Sequence, residues 1–132
     1  MNVLSLFDGI SCGQVALERA NIKVDTYYAS EIDKYAIQVT QKNYPNTIQL
    51  GDVTKINGIN LSQMDLLIGG SPCQGFSFAG KNLTFDDERS KLFFEYVRLL
   101  KECKPKYFLL EKWNYQLISE KVVLYLCLYK IG

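Results

Sequence analysis

Residues 64–77 pass from Met64-Asp65-Leu66-Leu67-Ile68 directly into Gly69-Gly70-Ser71-Pro72-Cys73-Gln74-Gly75-Phe76-Ser77. The first five form an apolar run broken only by Asp65 near its start, the pattern of a strand buried in a sheet. A strand that empties into Gly-Gly-Ser-Pro leaves the sheet through a sharp bend and approaches something closely. In an open α/β sheet such a loop lies at the carboxyl edge, where ligands bind. Cys73, held by the preceding proline and flanked by glycines, is a candidate nucleophile. The competing reading is a Gly/Pro turn with the cysteine as buried filler.

Bulk properties narrow the classes. The chain has 132 residues, 48% hydrophobic and 22% charged, so one globular domain over 1–132 is expected. No apolar run reaches the roughly 18 residues of a membrane span, and no charged segment precedes an apolar core at the start, so a cytoplasmic protein is expected. Fifteen basic and fourteen acidic residues leave a net charge of +1. With no Lys/Arg stripe, this chain alone would hold a nucleic acid weakly. The four cysteines, Cys12, Cys73, Cys103 and Cys127, include no CxxC pair, and there is no histidine. A common Cys/His metal site is therefore not expected, and a nucleophilic Cys73 would have to be activated without a histidine.

Taken in order, the chain alternates short apolar segments with helical patterns. Asn2–Phe7 is a strand candidate running into Asp8-Gly9-Ile10-Ser11-Cys12-Gly13, after which Val15, Ala16, Leu17 and Ala20 fall at near-helical spacing. Strand, glycine turn and helix make a first βα unit, whose helix N-terminus can meet a polar ligand group. The spacing is not GxGxxG, so a tight turn that simply needs glycine is the alternative. Val24–Ser30 is a second strand ending in Glu31, where a Rossmann-like fold holds ribose hydroxyls. Asp33–Asn43 forms a helix with Asp33 as N-cap or first-turn acid. Thr47–Leu50 is a short third strand followed by Gly51-Asp52-Val53, and 55–63 is a polar connection without clear period. After the Cys73 loop and a long polar and aromatic segment to Asp87, a helix runs to about Cys103 with Leu92, Phe93, Tyr96, Val97, Leu99 and Leu100 on its apolar side. Pro105 separates it from a fifth strand, Lys106–Leu110, that ends in Glu111. Tyr115–Lys121 could form a helical turn or two, and Val122–Ile131 is β-prone, a candidate sixth strand. The expected fold is a doubly wound, mostly parallel α/β sheet in the order 3-2-1-4-5, with that sixth strand added.

These residues together resemble the DNA cytosine-5 methyltransferases over roughly residues 2–111. The Gly-Gly-Ser-Pro-Cys-Gln-Gly-Phe-Ser segment is similar to the family's Pro-Cys motif, and Phe7-Asp8-Gly9-Ile10-Ser11-Cys12-Gly13 to its first motif. The resemblance implies S-adenosylmethionine as cofactor. Phe7, Asp8, Gly9, Ile10 and Ser11 would then meet its methionine part, Glu31 its ribose, and Asp52, with Val53 beside it, its adenine; Leu92 would line the cleft. It further implies that Cys73 adds to cytosine C6 and that Glu111 acts on N3, the base being flipped out of the duplex.

The chain departs from the family at Lys112-Trp113, where Asn-Val is usual. The lysine would set a cation next to Glu111 in the chain. The sequence also stops where the family's Gln-x-Arg-x-Arg segment, target-recognition domain and closing motif would follow. A truncated methyltransferase domain without a target-recognition domain is thus expected. Its partners would be DNA, a second polypeptide supplying the remaining motifs as one half of a two-chain enzyme, or another copy through an uncovered sheet edge. A non-catalytic binding module that keeps the cofactor pocket is the alternative.

Overall fold

The computed structural model describes residues 1–61, 63–70, 88–112 and 123–125. The Cys73 loop, the segment before Glu88 and Tyr115–Lys121 lie outside the described residues. Six strands, β1 (Asn2–Leu6), β2 (Thr26–Ser30), β3 (Ile48–Gln49), β4 (Leu66–Gly69), β5 (Tyr107–Lys112) and β6 (Val123–Tyr125), form one sheet in the order β3-β2-β1-β4-β5-β6. The first five are parallel, and β6 runs antiparallel to β5. Among the described residues, three helices, α1 (Cys12–Arg19), α2 (Lys34–Asn43) and α3 (Glu88–Cys103), lie in the crossovers after β1, β2 and β4.

Both faces of the sheet are buried, and period-two alternation divides them. Leu4, Leu6 and Leu67 pack with Met64, Val53, Ile56, Tyr96 and Leu99 on the α3 side. Val3, Tyr27, Ala29 and Ile68 pack with Leu17 on the α1 side. Burying each such aliphatic side chain contributes about 1.5–3 kcal/mol, so the central strands β1 and β4 anchor the molecule. On α3, Tyr96 and Leu99 are buried, whereas Phe94 is exposed. Tyr96 also donates its hydroxyl to Leu109 O at 3.1 Å, joining α3 to β5. Burial pushes the Tyr96 hydroxyl pKa well up, so it stays a neutral donor.

The expected order 3-2-1-4-5 is observed, and the candidate sixth strand is present over Val123–Tyr125. Boundaries moved for identifiable reasons. Met64 and Asp65 fall outside β4, yet Met64 is fully buried and Asp65 bonds both neighbouring strands through its backbone: its N–H donates to Asn2 O at 2.9 Å and its O accepts from Tyr107 N at 2.9 Å. β5 runs on through Glu111 and Lys112 because β6 pairs with it there, Glu111 opposite Leu124. Asp33 caps α2 as expected, accepting from Tyr35 N at 2.7 Å and Ala36 N at 3.3 Å, worth about 1 kcal/mol. The connection after Asp52 contains two single 3₁₀ turns, Val53–Lys55 and Gly58–Asn60, each opened by an Asp or Asn cap. Their shortness explains why no period was visible in the sequence.

Candidate functional site

Strand register sets the site. Leu6 is level with Ser30 on β2 and with Gly69 on β4, and Gly69 is level with Leu110 on β5. One residue further along, Phe7, Glu31, Gly70 and Glu111 therefore stand in a row along the carboxyl edge. Gly51 and Asp52 lie just past the end of β3. A Cβ built on Gly70 would lie 3.3 Å from the Glu111 Cβ and 3.5 Å from its Oε2. The exposed Glu111 carboxylate is thus beside the point where the chain departs for Ser71-Pro72-Cys73. Cys73 itself lies outside the described residues, as does the side chain of Lys112.

The cleft is lined by Phe7, Ser30, Glu31, Ile32, Gly51, Asp52, Val53, Gly70 and Leu92 and encloses about 340 Å³, within the roughly 300–1,000 Å³ of small-molecule sites. Five of the nine residues expected around a cofactor are in that lining: Phe7, Glu31, Asp52, Val53 and Leu92. Ser30, Ile32, Gly51 and Gly70 were not foreseen. Ile32 is 77% exposed, an apolar side chain held at the mouth of the cleft. Its position directly after the strand-end acid was the available signal.

Asp8, Gly9, Ile10 and Ser11 form the loop beside the cleft rather than its lining. Phe7 (φ 56°), Gly9 (φ 58°) and Ser11 (φ 64°) are all left-handed, costing a non-glycine residue roughly 1–2 kcal/mol each. A dense set of bonds holds this shape. Asp8 N–H donates to Ser30 O at 3.1 Å, and Gly9 N–H donates to Glu31 Oε2 at 2.8 Å. The Asp8 carboxylate accepts from Tyr27 OH at 2.8 Å and from the Ser11 hydroxyl. Thr40 Oγ1 donates to Ser11 Oγ at 3.2 Å. Burial, with Asp8 adding to it, pushes the Tyr27 hydroxyl pKa well up, so it remains a donor. The Asp8 side chain is consequently turned inward, and the N–H groups of Asp8, Gly9 and Ser11 are likewise bonded within the protein. Ile10 is 54% exposed.

The two acids differ in their remaining capacity. Glu31 Oε1 accepts from Ile32 N at 2.8 Å and Asp33 N at 2.9 Å, while Oε2 takes only the Gly9 N–H and keeps room for a further donor. Asp52 Oδ1 accepts from Thr54 N at 2.9 Å and Thr54 Oγ1 at 2.8 Å. The Thr54 backbone N–H, then its hydroxyl, lower the Asp52 pKa below the usual aspartate value. Asp52 Oδ2 pairs with the Lys55 ammonium at 3.9 Å, a separation beyond hydrogen-bond reach at which the oxygen can still accept from an amino group. Two fixed carboxylates with apolar walls between them suit a ligand combining hydroxyls, an amino group and a flat ring.

A second, larger cleft of about 510 Å³ lies between the carboxyl ends of α1 and α2 and the start of β2, lined by Glu18, Lys23, Tyr27 and Tyr44 among others. It contains none of the residues expected to carry chemistry, Tyr27 serving the loop from beneath. Size is a poorer guide here than the row of residues at the strand ends. No group of three or more potential metal ligands occurs among the described residues. None of the helices among them is long and apolar enough to cross a membrane.

A doubly wound α/β sheet with a left-handed turn after β1 and acids after β2 and β3 is the architecture of the Rossmann-like folds. Comparison with known proteins carries this further. The family model for C-5 cytosine-specific DNA methylases matches residues 1–115. The orphan methyltransferase M.SPRI of Bacillus phage SPR is 44% identical over 113 residues, covering 84% of this chain and 26% of that protein. The type II methyltransferase M1.ScrFI of Lactococcus lactis subsp. cremoris is 45% identical over 109 residues, covering 83% and 28%. Among solved structures, a DNA modification methyltransferase encoded within an E. coli prophage superposes with a TM-score of 0.68 at 34% identity, over 85% of this chain and 32% of that one. The chain belongs to the C-5 cytosine-specific DNA methylase family, and it spans about a quarter of the length of these curated relatives.

Proposed function

We propose that this chain carries the cofactor cleft and the catalytic thiol and carboxyl of a DNA cytosine-5 methyltransferase that uses S-adenosylmethionine. The supporting observation is the row Phe7, Glu31, Gly70 and Glu111 along the carboxyl edge, which brings the cleft, the root of the Cys73 loop and the carboxylate together.

The bound cofactor supplies an electrophilic methyl group. Glu31, oriented by three backbone N–H groups, would accept from the ribose hydroxyls, and Asp52 Oδ2 would accept from the adenine amino group. Phe7, Ile32, Val53 and Leu92 exclude water around the ring. The rigid 7–11 loop would border the methionine end. The Cys73 thiolate would add to C6 of a cytosine flipped from the duplex, making C5 nucleophilic. Glu111 at N3 stabilises the charge that develops on the ring. Methyl transfer to C5 would break the donor's sulfur–methyl bond and leave the thioether form of the cofactor; the C5 proton would then pass to water and the thiolate would be expelled, restoring the aromatic base. Without histidine, thiolate formation rests on local dipoles and the substrate.

The near-zero net charge fits weak DNA binding by this chain and reading of the target by a second polypeptide; an uncovered sheet edge offers self-association as another partner mode. The test is transfer of labelled methyl groups to a cytosine-containing duplex, by the chain alone and with a polypeptide carrying the remaining motifs of a relative. Transfer that is lost in Cys73→Ser is expected in at least the second arm. Transfer that survives the substitution would overturn the assignment of the nucleophile. Cofactor binding without transfer in either arm would favour the non-catalytic binding module.

A further inference from the structure

Arg98 is a group for which neither the cleft nor the chemistry above has a use, yet it is among the most heavily bonded side chains described. It lies on α3, partly buried at 32% side-chain exposure. Its Nη2 donates to Val53 O at 3.1 Å and its Nη1 to Ile56 O at 2.9 Å. These are the carbonyls of the first residue of the 3₁₀ turn that Asp52 caps and of the residue directly after that turn. Two carboxylates balance the charge: Glu95 Oε2 accepts from Nε at 2.8 Å and Nη2 at 2.6 Å, and Glu102 accepts from Nη1 at 3.0 and 2.9 Å. Glu102 Oε2 also accepts from Gly58 N at 2.8 Å, tying down the second 3₁₀ turn. Burial opposes ionisation of Glu102, but the Arg98 and Gly58 bonds outweigh it and hold its pKa below the usual value.

A surface ion pair between helix neighbours would contribute little. This one differs because the planar guanidinium fork spends two of its donors on main-chain carbonyls of another segment, which a lysine cannot reproduce. The bonded segment, residues 53–56, begins in the wall of the cleft at Val53, directly after Asp52. Leu92, on the same helix six residues earlier, belongs to the same lining. The guanidinium therefore fixes the loop wall against the helix wall at a set spacing.

We propose that Arg98 is a positioning residue for the adenine end of the cleft, holding the Asp52–Val53 loop against α3 so that Asp52 Oδ2 meets the amino group of the ring. The inference rests on the cofactor reading given above and adds a residue that touches no ligand.

Calorimetry on the 132-residue chain with two probes tests it: S-adenosylhomocysteine, whose adenine donates an amino hydrogen, and S-inosylhomocysteine, which presents a carbonyl at that place. The unaltered chain should prefer the adenosyl compound by roughly tenfold or more, since a donor meeting a fixed carboxylate is replaced by an acceptor. In Arg98→Met that preference should collapse towards one, with affinity for the inosyl compound changed by less than about threefold. Adding Asp52→Asn to Arg98→Met should then lower the ratio no further. Equal loss of affinity for both probes, or an unchanged ratio, would overturn the proposal in favour of a merely structural role. Should Arg98→Met fail to fold, Arg98→Lys and Glu102→Gln decide: a reduced ratio supports positioning, and an unchanged one overturns it. If the unaltered chain bound neither probe, the cofactor reading would fall, an outcome distinct from binding with an unaltered ratio in the variants.

Discussion

Glycines at positions 9 and 69 are required for different physical reasons, and the difference can be measured. At Gly9 the backbone is left-handed (φ +58°) but nothing lies within 4 Å of a built Cβ, so alanine meets only torsional strain. Gly69 is in an ordinary strand conformation, yet a Cβ there would sit 2.7 Å from Leu6 O and 3.1 Å from Leu6 Cβ. Gly9→Ala should cost about 1 kcal/mol, and Gly69→Ala about 1–3 kcal/mol through forced separation of β1 and β4. Urea denaturation checks both. Equal shifts in the two variants would show that crowding at Gly69 relaxes freely. Since Gly69 directly precedes the root of the Cys73 loop, its replacement should also displace Gly70 from Glu111.

Among the elements, the amino ends of the strands are tied by one acid. Asp65 Oδ2 accepts from Asn2 N at 2.8 Å, and Oδ1 pairs with Lys106 Nζ at 2.5 Å, joining the starts of β1, β4 and β5. The Lys106 ammonium, followed by the Asn2 N–H, lowers the Asp65 pKa below the usual aspartate value. A group with a depressed folded pKa contributes stability above its unfolded pKa and loses it as pH falls through the folded one. Asp65→Asn should therefore destabilise by about 1 kcal/mol at neutral pH, the exposed lysine limiting the effect. The difference from the unaltered chain should vanish in acid below the usual aspartate range. Thermal unfolding followed against pH measures this, and a difference independent of pH would remove the charge from the explanation.

Across the whole molecule, burial is graded from the centre of the sheet to its edge. Val3, Leu4, Leu6 and Leu67 are fully buried, whereas β3 has two residues and Ile48 is 43% exposed. Amide exchange should accordingly be slowest in β1 and β4 and fastest in β3, since local opening costs least where few apolar contacts break. Exchange rates measured by NMR or mass spectrometry would test the gradient; protection of β3 equal to that of β1 would instead point to a covered edge. The Asp52 wall of the cleft follows this weak strand. Its hold on α3 through Arg98 is thus placed where the sheet itself offers least support.

Local pattern and chain punctuation determined much of this protein. Short apolar segments ending in glycine or an acid define parallel strands with their active ends at one edge, and Asp33 before an amphipathic run specifies a capped helix, because these signals depend on neighbours a few residues away. The two acids of the cleft were legible for the same reason: Glu31 follows directly on β2, and Asp52 lies a short turn beyond β3. Only tertiary structure decided which residues stand level. The register that sets Gly70 beside Glu111, the inward turn of Asp8 towards Tyr27, the left-handed backbone of Phe7 and Ser11, and the reach of Arg98 to the carbonyls of Val53 and Ile56 all join residues distant in the chain. No periodicity records such distances, since the register and side-chain directions that create them arise only when the two layers of helices close on the sheet.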